Sequence, residues 1–138
     1  MKQQEFAKAV EEIVQADPRF SPEAYEFISD AVAYTARKLG KAGRTRNRHI
    51  TGQELLAGIR EHALQQFGPL TLDVLRDWGI HDSLCIGHIV FNMVDSQLLG
   101  KSDQDSLKDF ARGFDFVEAF SRPFTPERER VPTPPVIA

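Results

Sequence analysis

Apolar residues recur at three- and four-residue intervals along most of the chain. That spacing predicts a mainly α fold of about five helices. Phe6, Val10, Ile13 and Val14 give a first helix over about Gln3 to Ala16, stopped by Asp17-Pro18. A second helix opens at Ser21-Pro22-Glu23, with Ser as cap, Pro at the first helical position and an acid at the positive end of the dipole. Its apolar stripe is Tyr25, Ile28, Ala31, Val32, Thr35 and Leu39, and Gly40 follows as the stop. Thr51-Gly52-Gln53-Glu54 is a capping box and starts a third helix, which reaches Phe67 before Gly68-Pro69. A short fourth helix runs from about Leu70 to Trp78, closed by a left-handed Gly79 with Ile80 packing back. The fifth starts at Asp82 or Ser83 and continues to Leu99. It is apolar nearly all round, as a central helix would be.

Beyond Gly100 the helical period weakens. Ser102 to Phe110 reads as one helical turn or the arm of a hairpin, and Gly113-Phe114-Asp115-Phe116 alternates like a strand. The last sixteen residues contain five prolines, which predicts an extended or disordered tail over 123–138. The expected organisation is therefore one helical domain over 1–122, then the tail. A chain of 138 residues suits a single core that buries roughly two-thirds of its unfolded surface.

Leu75 to Ser102 has the order of a helix-turn-helix: a short helix, a glycine turn, a capped second helix. With the third helix before it and a hairpin over 98–118 after it, the core would resemble a winged helix. DNA binding would place the fifth helix in the major groove. The charges oppose this. No Arg or Lys lies from Asp77 to Gly100, and the expected wing carries Asp103, Asp105, Asp109 and Asp115.

Composition adds little chemistry. The net charge of −3 repels nucleic acid and anionic membranes on average. Locally, Arg37, Lys38, Lys41, Arg44, Arg46 and Arg48 put six cations in a dozen residues, a candidate nucleic-acid or anion site. The competing reading is a solvated loop after a helix C-terminus, where cations are favoured anyway. That reading is preferred, because no aromatic residue is interleaved for base stacking.

Phe110, Phe114, Phe116, Phe120 and Phe124 are either core or an apolar strip that docks a protein partner or a second copy. His81, Cys85 and His88 fall at i, i+4, i+7, but His81 precedes the cap and a fourth ligand is missing, so no metal is expected. There is no nucleophile elbow, phosphate loop or dinucleotide fingerprint, and no cofactor is implied. The N-terminus lacks the apolar stretch of a signal peptide, no run is long enough to span a bilayer, and a single Cys85 permits no internal disulfide. A cytoplasmic location is expected.

The strings Arg48-His49-Ile50-Thr51-Gly52-Gln53-Glu54-Leu55-Leu56, Gln66-Phe67-Gly68-Pro69-Leu70, Trp78-Gly79-Ile80, Ile89-Val90-Phe91-Asn92-Met93-Val94 and Phe114-Asp115-Phe116-Val117-Glu118-Ala119-Phe120 together carry a resemblance. Over about Asp17 to Phe120 the chain resembles an uncharacterised family of small bacterial proteins. The resemblance implies a stand-alone bacterial domain and supplies no catalytic residue. The expected role is thus a non-enzymatic protein-interaction or regulatory domain. The alternative is a nucleic-acid-binding protein using segment 37–48.

Overall fold

The computed structural model describes residues 3–40, 50–100, 107–111 and 113–124. The chain is mainly helical, and no strand occurs among the described residues. Helices α1 (Gln3–Ala16), α2 (Pro22–Lys38), α3 (Gly52–Phe67), α4 (Thr71–Asp77) and α5 (Ser83–Asp95) are followed by two short ones, α6 (Lys108–Ala111) and α7 (Phe116–Phe120). One core joins them. It is built on Tyr25 and Ile28 of α2, Leu56 and Ile59 of α3, Leu75 of α4, Ile86, Ile89 and Met93 of α5, and Phe120 of α7.

Local chemistry accounts for most of the ends. The Thr51 hydroxyl accepts from the Glu54 amide at 3.1 Å, and the Glu54 carboxylate accepts from the Thr51 amide at 3.0 Å, so the capping box is complete. Asp82 caps α5 by accepting from Cys85 N at 2.9 Å. Gly79 adopts φ +93°, and Ile80 N returns to Leu75 O at 2.8 Å while the Ile80 side chain is fully buried. A side chain at Gly79 would also strike Arg19 O, at 2.2 Å from the new Cβ. The glycine therefore serves both a left-handed turn and a close approach.

Four expectations need correcting. Ser21 occupies the cap position of α2, but its hydroxyl makes no capping bond. It is buried with no partner among the described residues, while Ser21 N donates to Trp78 O at 3.1 Å. The fourth helix begins one residue late, at Thr71, because Gly68–Leu70 forms a 3-10 turn. The buried Thr71 hydroxyl locks that corner onto Gly68 O at 2.6 Å and Ala63 O at 3.2 Å.

The fifth helix stops at Asp95 rather than Leu99. Gln97 turns left-handed at φ +63°, which lets Leu98 N reach back to Met93 O at 2.8 Å. Finally, residues 113–116 are not a strand. Asp115 accepts from Glu118 N at 3.0 Å and caps α7.

The segment expected to form a wing, 98–118, therefore carries α6 and the start of α7 among its described residues, with no strand. The helix-turn-helix order of α4, Gly79 and α5 is present as an order of elements. The Pro-rich tail lies outside the described residues from 125 onward. Its first two members, Pro123 and Phe124, belong to a 3-10 turn over Arg122–Phe124, so regular structure reaches further than the prolines suggested.

α6 and α7 are held by a hydroxyl clasp. The buried Ser83 Oγ donates to Phe110 O and accepts from Gly113 N at 3.1 Å. Gln53 of α3 donates to Asp109 O at 2.9 Å. At the other end of α5, Asn92 donates to Asp17 at 3.0 Å and to the Tyr25 hydroxyl at 3.1 Å, tying the α1–α2 link to the centre of the fold. The bidentate Arg19 guanidinium holds the Asp17 carboxyl well below the carboxylate range, while burial pushes the Tyr25 hydroxyl up.

Candidate functional site

α3 has two working faces. One, carrying Ile59, Gly58 and His62, packs into the interior and against α2. The other presents Gln53, Leu56, Ala57, Arg60, Glu61 and Leu64, which at spacings of three and four residues share a stripe. Gly113 and Phe114, positioned by the Ser83 clasp, stand opposite this stripe. Between them lies an open groove of about 540 Å³.

Its floor is apolar. Its charges are arranged unevenly. Glu61 accepts from both Lys38 and the Tyr34 hydroxyl, and Gln65 donates to that hydroxyl at 3.1 Å. The Lys38 ammonium, and then the Tyr34 hydroxyl, hold the Glu61 carboxyl below its ordinary range. Lys38 and Tyr34 are raised by the same contacts with Glu61. Arg60 is exposed, its guanidinium carbon 5.7 Å from the centroid of Phe114. It pairs with no carboxylate among the described residues. The lining includes no Ser, Cys or His, and its single carboxylate is already engaged, so no nucleophile and base converge there.

Behind the groove, His62 is buried with 8 % of its surface exposed. Its ring stacks on Phe27, centroids 5.5 Å apart, and lies 4.9 Å from Tyr34. Its Nε2 has no partner among the described residues. Burial lowers its pKa from the ordinary 6.5, with smaller opposing effects of Asp30, which raises it, and Arg37, which lowers it.

The imidazole is therefore neutral in the fold, while the unfolded chain takes up a proton near 6.5. Stability should be full above that pH and fall as pH drops toward the folded value. In urea melts between pH 7.5 and 5.5, the wild-type midpoint is expected to decline and His62→Phe to decline less. Equal slopes would remove His62 as the cause.

The structure separates the residues singled out by sequence. Arg37 and Lys38 lie exposed in the last turn of α2, and Lys38 is committed to Glu61. Lys41, Arg44, Arg46 and Arg48 lie outside the described residues. Phe110, Phe116 and Phe120 are buried in the chain's own core, at 4 %, 6 % and 0 % exposure. Of the two readings, core therefore holds for these three rather than a docking strip, which leaves Phe124, at 44 %, and the partly exposed Phe114 for a surface.

His81 is exposed and precedes α5. No group of three or more His, Cys, Asp or Glu placed to hold a metal occurs among the described residues. Among those residues no helix is long and apolar enough to cross a membrane.

Periodicity missed Arg60, Glu61, Tyr34 and His62. The available signal was the width of the α3 apolar arc, since Leu64 sits too far round from Ile59 and Ala63 for one core face. A second groove, of about 420 Å³, runs between α1 and α2 past Phe6, Val10, Val14, Pro22 and Glu26. Comparison with protein-family models, with curated proteins and with solved structures returned no match.

Proposed function

We propose that this chain is a non-enzymatic protein-interaction or regulatory domain working in the cytoplasm, and that the α3 groove is its contact surface. One observation carries the reading. The groove is lined by Ala57, Leu64 and Phe114 above the buried Leu56, edged by polar groups and holding no reacting pair. An apolar centre with a polar rim is the anatomy of a protein interface.

The same place gives little support to the nucleic-acid alternative. Glu61 in the lining and Asp115 beside Phe114 would repel phosphate, and Lys38 is neutralised by Glu61.

The test is a photo-crosslinking side chain placed at the exposed Ala57 in cells making the protein, with the same side chain at the exposed Arg76 of α4 as control. A discrete adduct is expected from position 57 and not from 76. Its mass distinguishes a second copy from another protein. No adduct, or equal adducts from both positions, would sink the reading.

A further inference from the structure

We infer that the α3 groove takes an amphipathic helical segment of a partner protein that carries an acidic side chain beside its apolar anchors. This rests on the reading of the groove as a contact surface. It starts from Arg60, in the middle of the stripe, one helical turn from Leu56 on one side and from Leu64 on the other.

Its guanidinium lies over the Phe114 ring, with 5.7 Å from the central carbon to the centroid. A cation held over a ring this way keeps N–H groups free for another acceptor. Those donors have no carboxylate among the described residues. An incoming carboxylate can take two guanidinium donors at once.

The surrounding charges leave the role to Arg60: Lys38 is paired with Glu61, Asp115 accepts from Glu118 N, and Arg60 is the cation in the groove lining. Glu61 has no free demand for a cation, being held by Lys38 and Tyr34. From Gln53 to Leu64 the stripe is about 17 Å long, the length of about three helical turns. Apolar side chains at i and i+4 or i+7 of an incoming helix would meet Ala57, Leu64 and Phe114, with the acid between them at Arg60. A phosphate backbone would find the cation but waste the apolar floor.

The experiment is selection of a displayed random-peptide library on the intact chain, followed by titration of the consensus peptide against wild type, Arg60→Glu, Arg60→Ala and Leu64→Asp. Each variant is first checked for an unchanged melting transition; Arg60→Ala serves if the charge reversal perturbs folding. The consensus is expected to place Asp or Glu three or four residues from Leu, Ile or Phe. Arg60→Glu should weaken it by about tenfold or more, and the peptide with Lys in place of the acid should bind Arg60→Glu better than wild type.

Groove-dependent peptides with no acid, or with affinity indifferent to Arg60, overturn this inference and leave the contact-surface reading standing. Absence of any peptide weakened by Leu64→Asp overturns both. A DNA or RNA oligonucleotide that displaces the peptide and loses binding on Arg60→Glu would reassign the groove to nucleic acid and overturn the inference as well.

Discussion

Gly58→Ala is expected to cost about 3 kcal/mol of stability even though alanine is the better helix former by about 1 kcal/mol. Gly58 lies where α3 crosses α2. A Cβ there would stand 1.8 Å from Thr35 Oγ1, 2.8 Å from Thr35 Cβ and 3.0 Å from Thr35 Cγ2. Rotating the threonine does not solve the problem, because its Cβ is anchored to the α2 backbone. Nor can the side chain swing away, since Thr35 is buried and its hydroxyl donates to Ala31 O at 2.7 Å. The two helices must separate, and every contact along the crossing loosens with them.

The double variant Gly58→Ala/Thr35→Ala should recover some of the loss, since the closest atom is removed and the 2.8 Å contact stays. Urea denaturation of the four proteins of that cycle measures the coupling. A Gly58→Ala protein as stable as wild type would mean that the crossing has slack, and would count against the packing described above.

The second large effect is at Phe120. Phe120→Ala should lose about 3–5 kcal/mol, and Phe124→Ala less than about 1 kcal/mol. Phe120 is fully buried and meets Phe114 and Phe116 edge-on, with centroids 5.4 and 5.2 Å away. Truncating it empties the space under α7 and removes both ring contacts. Phe124 ends the following 3-10 turn and keeps 44 % of its surface exposed. Comparing the two in the same melts decides which reading of the phenylalanine cluster holds. A charge at Phe120 would unfold the chain rather than merely dissociate a dimer. Equal losses at both positions would instead argue that Phe124 is covered in solution.

Helical content could be read from sequence because α1 to α5 each combine an apolar stripe with an end signal. Thr51 and Glu54, Asp82, and Gly79 each satisfy a backbone group that must otherwise be left bare, so their identities announce their places. The errors fell where another signal overrode the local one. At Gln97 a residue without glycine's freedom takes the left-handed position, and Gly100 pointed to a later stop. At Asp115 the capping spacing to Glu118 was present, but alternating phenylalanines imitated a strand. Ser21 looked like a side-chain cap and is not one, because its hydroxyl is buried away from the amides of the first turn.

The groove was less legible than the fold. Its two walls are 49 residues apart at the nearest, from Leu64 to Gly113, and only tertiary packing sets Phe114 across from Arg60. Periodicity can say that α3 is apolar over a wide arc. It cannot say which stretch of that arc is left uncovered.

The seat of α6 bears on how this molecule is made. Phe110 and Leu107 lie so close over Gly87 that a Cβ there would sit 2.7 and 2.9 Å from them, and the Ser83 clasp joins the same two segments. Residues translated later thus cover a face of α5 translated earlier. While a ribosome is still adding residues beyond α5, that flank and the nearby Leu56 have nothing over them. During synthesis the nascent chain therefore passes through an interval of sticky, unshielded surface. The core is closed only once Lys108 to Phe120 reach it.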